Sequence, residues 1–204
     1  MKRLLAVLFL FFLLMPARAF SSEEDELTYE GQYDITLKHE FLEFGEKKNS
    51  LLGAVDLFGT LDGYNALFTY FGPQFNISDD LTLWLLAGTL NETGGGMAIT
   101  ASVWADYYWG NEDVNNIFVE GGYYIPVDVF PYQFYFWTEY NRALKDDVNF
   151  GVSMELFGNA EEGELSEFAL GPHIGLGNWK IWTAYDWSPS IDGEIVSVRL
   201  IYEH

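Results

Sequence analysis

The stretch Met97-Ala98-Ile99-Thr100-Ala101-Ser102-Val103-Trp104-Ala105-Asp106-Tyr107-Tyr108-Trp109 decides the fold class. Met97, Ile99, Ala101, Val103, Ala105, Tyr107 and Trp109 mark one side, while Thr100, Ser102, Trp104, Asp106 and Tyr108 mark the other. The repeat is two, the period of a β-strand, whose successive side chains point to opposite faces; a helix would repeat about every 3.6 residues. Comparable segments lie at 33–44, 51–61, 65–77, 81–91, 116–126, 132–142, 148–157, 166–176, 179–187 and 194–203, with a shorter one at 27–32. Turn residues separate them, among them Asp62-Gly63, Ser78-Asp79-Asp80, Gly177-Asn178 and Asp192-Gly193. No helical period competes with these segments, so the chain reads as all-β.

The distribution of charge orients each strand. Asp34, Lys38, Glu40, Asp56, Gln74, Asp106, Glu120, Gln133, Glu139, Asn149, Glu155, His173, Lys180, Asp186 and Arg199 all occupy the parity opposite the bulky apolar residues. A soluble barrel would gather its apolar side within and would show these residues to water. Ionisable residues on nearly every strand are better housed in a polar lumen, with rows such as Val148, Phe150, Val152, Met154 and Leu156 turned to lipid. A Lys or Arg in that outer row would cost about 2–4 kcal/mol at the bilayer midplane. The expected fold is a closed antiparallel transmembrane up-and-down β-barrel, with twelve strands or, as the alternative, ten. Tyr107, Trp109, Tyr123, Trp179 and Trp187 fit aromatic girdles at the two interfaces.

The start of the chain agrees with export. Lys2 and Arg3 precede an apolar run from Leu4 to Met15, and Ala17-Arg18-Ala19 forms a small-x-small site. We read residues 1–19 as a signal peptide cleaved after Ala19, since the apolar run falls short of the ~20 residues a spanning helix needs. Residues 20–26 read as an acidic lead-in and 27–204 as a single barrel placed in the cell outer membrane. The last strand keeps Val196-x-Val198-x-Leu200-x-Tyr202, the kind of amphipathic end that barrel-assembly machinery reads, followed here by Glu203 and His204.

Composition narrows the function classes. The chain has 31 Asp and Glu against ten Lys and Arg, for a net charge of −21, and three of those ten bases fall in the leader. Such a balance opposes nucleic-acid binding, which depends on Lys and Arg, and repels anionic solutes at a mouth or lumen. With no cysteine, the chain has neither disulfides nor thiol chemistry. The histidines are His39, His173 and His204. None has a serine beside it in sequence, so no hydrolase motif is visible, and Asn111-Glu112-Asp113 lacks the spacing of an EF-hand loop. No catalytic residue, metal or cofactor is expected.

Several blocks resemble the Tsx-type family of nucleoside-specific outer-membrane channels. They are Ile35-Thr36-Leu37-Lys38-His39-Glu40-Phe41 leading to Leu52-Gly53-Ala54-Val55-Asp56-Leu57-Phe58, then Leu67 through Phe75, Val103-Trp104-Ala105-Asp106-Tyr107 and Gly122-Tyr123-Tyr124-Ile125-Pro126. The resemblance implies a narrow monomeric twelve-stranded channel, with nucleosides among its candidate solutes. The residues themselves suit a neutral, flat and polar solute. Inward aromatics offer stacking faces, and carboxylates accept hydrogen bonds from hydroxyls. The candidate lumen set is Trp84, Trp104, Asp106, Tyr108, Glu120, Tyr124, Trp137, Glu139, His173, Lys180, Trp182 and Asp186. The expected function is passive diffusion of small polar solutes. The alternatives are a plugged structural or adhesive barrel and a lipid-modifying enzyme.

Overall fold

A computed structural model describes residues 28–110, 114–127, 131–145, 147–161, 163–187 and 195–204. The expected leader and acidic lead-in lie outside these residues, as does the loop 111–113. Among these residues there are eleven strands: β1 Thr28–Phe44, β2 Asn49–Thr60, β3 Asn65–Asn76, β4 Leu81–Glu92, β5 Met97–Trp109, β6 Asn115–Pro126, β7 Gln133–Lys145, β8 Val148–Asn159, β9 Glu164–Leu176, β10 Trp179–Trp187 and β11 Ile195–Glu203. Each pairs antiparallel with its neighbours in sequence, and β1 meets β11 in parallel to close the barrel. Closure leaves no free sheet edge along the paired lengths, which satisfies the backbone donors and acceptors within the wall.

The strand count corrects the expectation of twelve or ten, and the purely antiparallel plan becomes a mixed one. Segments 27–32 and 33–44 share a parity and have no turn residue between Gln32 and Tyr33, so they form one strand of 17 residues. Its length serves two partners: Thr28 to Thr36 run beside β11, and Gln32 to Phe44 run beside β2. An odd number of hairpin-connected strands brings the first and last together in parallel. The start of β1 and the end of β11 therefore lie at opposite mouths. The upper mouth holds the starts of β1 and β11 and the turns 61–64 and 93–96; the lower mouth holds the turns 45–48, 77–80 and 177–178 and the chain end at His204.

The two faces of the wall carry opposite chemistry. Leu37, Val55, Phe71, Leu85, Val103, Val152, Leu170 and Leu200 are exposed on the outside. Outward positions on β2 through β6 carry no charge. Ring pairs band the exterior: Tyr107 lies on Trp109 at 5.8 Å, Trp109 on Tyr140 at 5.9 Å and Trp179 on Tyr202 at 4.7 Å near the lower rim. Inside lie the buried polar groups Gln32, Gln74, Glu139, Glu155, His173, Lys180, Asp186 and Arg199, among buried Tyr70, Trp104, Tyr124, Trp137 and Trp182.

Two Gly-Pro pairs, Gly72-Pro73 on β3 and Gly171-Pro172 on β9, behave alike. Between β3 and β4 the pairing stops after Phe71↔Ala87 and resumes at Gln74↔Trp84, and between β9 and β10 it stops at Trp182↔His173 and resumes at Tyr185↔Leu170. The register is unchanged across both gaps, so these are breaks in the ladder, since proline has no N–H to donate. Bulges occur elsewhere, at Glu40/Leu42, Ala143/Lys145 and Phe157/Gly158. The opposite edges of β3 and β9 remain paired through Leu51↔Pro73 and Val152↔Pro172.

Candidate functional site: the lumen

Two cavities of about 470 Å³ each occupy the bore, the upper reaching Asp62 and Tyr64 and the lower reaching Gly177 and Asn178. Lys38 of β1, Phe118 of β6 and Glu203 of β11 line both, so the cavities meet at a waist built from these three side chains. The upper cavity is strongly acidic: Glu30, Asp34, Asp56, Asp62, Glu92, Glu120, Glu155, Glu167 and Glu203 line it, against Lys38 and Arg199. In the lower cavity Asp106, Glu139 and Glu203 face Lys38 and Lys180, so the charges nearly balance.

The expected lumen residues divide between these spaces and the wall. Trp104, Glu120, Tyr124 and Trp137 line the upper cavity, and Trp84, Asp106, Tyr108, Glu139 and Lys180 line the lower. Trp182, His173 and Asp186 line neither cavity and are buried in the wall. Trp182 is 0% exposed, meets Trp137 edge to face at 4.9 Å and donates from Nε1 to the Gly171 carbonyl at 3.0 Å, so its face offers no stacking site. Trp84 donates from Nε1 to Gln74 Oε1 at 2.7 Å, which fixes its indole at the lower cavity.

Two cations cross the bore to carboxylates on distant strands. Arg199 of β11 reaches Glu155 of β8, with Nη2 at 2.6 Å from Oε2 and Nη1 at 3.2 Å from Oε1, while Nε donates to Gln32 Oε1 at 2.8 Å. Its guanidinium also lies 4.8 Å from the ring centres of Phe58 and Trp182. Planarity lets one arginine make the paired carboxylate bonds and still pack its faces on rings. Lys180 of β10 reaches Glu139 of β7 at 2.7 Å to both oxygens, and Glu203 Oε1 stands 3.7 Å away.

From Glu139 a directed chain of hydrogen bonds runs around the lower wall. Asn141 Nδ2 donates to Glu139 Oε1 at 2.8 Å and to Asn116 Oδ1 at 2.9 Å, and Asn116 Nδ2 donates to Asp106. With both amide protons so used, Asn141 Oδ1 accepts from His173 Nε2 at 2.7 Å. The imidazole then carries its proton on Nε2, and Nδ1 accepts from the Ser153 hydroxyl at 2.7 Å. No serine adjoins His173 in sequence; the fold brings one to it, because the pairing of β8 with β9 places Ser153 opposite Gly171 and Gly151 opposite His173. Ser153 is 0% exposed and, like His173, lines neither cavity, while Asn141 lines the lower one, so the Ser153–His173 contact lies behind the cavity surface.

At the upper rim Tyr64 donates its hydroxyl to Glu92, and burial, followed by that hydrogen bond and the carboxylate charge, raises the phenol's pKa above its ordinary value. On the acidic wall below, Thr36 Oγ1 bridges Asp34 at 3.5 Å and Asp56 at 3.3 Å. Among the described residues no group of three or more His, Asp or Glu side chains is arranged to hold a metal ion.

The lumen set drawn from the sequence omitted Lys38, Phe118, Glu203, Arg199 and Glu155, which define the waist and the upper crossbar. Parity marked Lys38, Glu155 and Arg199 as inward; their reach across the bore follows only from closure of the barrel. Comparison with protein-family models, curated proteins and solved structures found no match.

Proposed function

We propose that the protein is an outer-membrane channel for passive diffusion of small polar solutes, with neutral and cationic solutes favoured over anionic ones. The observation that carries this reading is a closed wall, apolar outside, around two polar cavities that approach opposite mouths and meet at one waist. Carboxylates in the upper cavity concentrate cations and exclude anions through their summed field. The ring faces of Trp104, Tyr124 and Trp137 beside Glu120 supply stacking and hydrogen-bonding groups for a flat polar solute, and the resemblance to the nucleoside channels makes nucleosides the first solutes to try.

A plugged barrel is the second reading, favoured by the Arg199–Glu155 and Lys180–Glu139 crossbars in the bore. Conductance separates the two. Purified protein in planar lipid bilayers is expected to give discrete current steps with cation preference, and added nucleosides are expected to reduce the current. A folded barrel that gives no steps assigns the plugged reading instead. A lipid-modifying enzyme finds no support in the fully buried Ser153.

A further inference from the structure

Among the described residues Lys38 is a cation of the bore with no carboxylate in direct contact, although the charges of Glu120 and Asp106 lie near enough to attract it. Its alternation partners Asp34 and Thr36 face the lumen, and its own side chain remains exposed within the two cavities that it lines. In the closed ring, β5 and β6 lie four and five strands from β1, on the far side of the barrel. The Lys38 ammonium nevertheless stands 5.1 Å from the ring centre of Trp104 and 5.5 Å from that of Phe118. The side chain therefore spans the bore. Tyr70 braces the receiving indole edge to face at 5.2 Å.

Its fastening differs from that of the other two crossbars. Arg199 and Lys180 each make short bonds to both oxygens of a buried carboxylate. For Lys38, no carboxylate lies within 4.0 Å among the described residues. Ring faces hold an exposed ammonium far more weakly than a buried ion pair holds its partners. The four-carbon stem can swing aside while the paired crossbars stay in place.

We propose that Lys38 is the selectivity-determining gate of the channel: a bolt across the waist that separates the cavities when seated and joins them when it swings away. This inference rests on the channel reading above. Seated where the two cavities meet, the ammonium opposes the passage of the cations that the upper carboxylates attract. Permeation then favours neutral polar solutes, and small cations pass only with the bolt displaced.

The test is the reversal potential and single-channel conductance of the full chain in planar bilayers under a KCl gradient, for wild type, Lys38→Met and Lys38→Arg. Folding of each variant is checked by its shift in gel mobility on boiling. For Lys38→Met we expect conductance to rise about twofold or more and the reversal potential to move toward ideal cation selectivity, with Lys38→Arg close to wild type. Equal conductance and reversal potential in wild type and Lys38→Met would overturn the gate and leave the channel standing. Folded chains that are silent in all three forms would overturn the channel reading and the gate with it.

Discussion

Arg199 and Glu155 show what a charge requires inside this barrel. The two are 4% and 5% exposed, and each is satisfied chiefly by the other. Removing one partner strands the other's charge. Arg199→Met is therefore expected to cost about 3–5 kcal/mol, and Arg199→Met with Glu155→Gln less than that single change. Urea unfolding in detergent micelles measures both, and a double variant weaker than Arg199→Met would contradict the pairing. The Ser153–His173–Asn141 node makes a second demand on space. A methyl on Gly151 would overlap the Tyr140 carbonyl oxygen and meet the His173 ring. Gly151→Ala is expected to lower stability by about 1–3 kcal/mol through overpacking, while the surface change Lys47→Ala stays within about 0.5 kcal/mol. The same unfolding assay compares them.

Among the elements, the paired Gly-Pro breaks separate two roles that the sequence writes side by side. Gly72 and Gly171 admit close approach of backbone, since a Cβ at either would meet the carbonyl of Leu85 or Thr183. Pro73 and Pro172 sit where the ladder to the next strand is already interrupted. Gly72→Val is thus expected to prevent folding or to cost more than about 3 kcal/mol, whereas Pro73→Ala restores a donor and leaves stability within about 1 kcal/mol of wild type. Recovery of heat-modifiable barrel after refolding reads out both changes. Strand positions were legible because turn residues interrupt the period of two at short intervals, and most boundaries fall within a few residues of expectation. The count was not. The shared parity and the missing turn residue at Gln32-Tyr33 allow one long strand without requiring it; what requires it is that β1 has β11 on one side and β2 on the other along different parts of its length. Which candidate residues would meet was equally hidden. The Ser153–His173 contact depends on the register of β8 against β9, and a slip of one residue between them would put the two side chains on opposite faces of the wall.

For the whole molecule, the governing feature is the inversion of an ordinary globular protein, with ionisable groups within and apolar rings without. The eleven-stranded closure accords with it: outward positions on β2 through β6 carry no charge, and the closed wall pairs its own backbone groups. The cavities, the crossbars and the waist at Lys38 all depend on that orientation. The chain has no cysteine, so single cysteines can be placed at will along β5 without competing thiols. The decisive measurement is nitroxide labelling at Ile99→Cys, Ala101→Cys and Val103→Cys, and at Thr100→Cys and Ser102→Cys, in barrels refolded into lipid vesicles. Collision with lipid-soluble oxygen and with a water-soluble nickel chelate is then compared site by site. The account predicts strong oxygen contact at 99, 101 and 103 and its loss at 100 and 102; equal exposure at all five sites, or the reverse alternation, would contradict it.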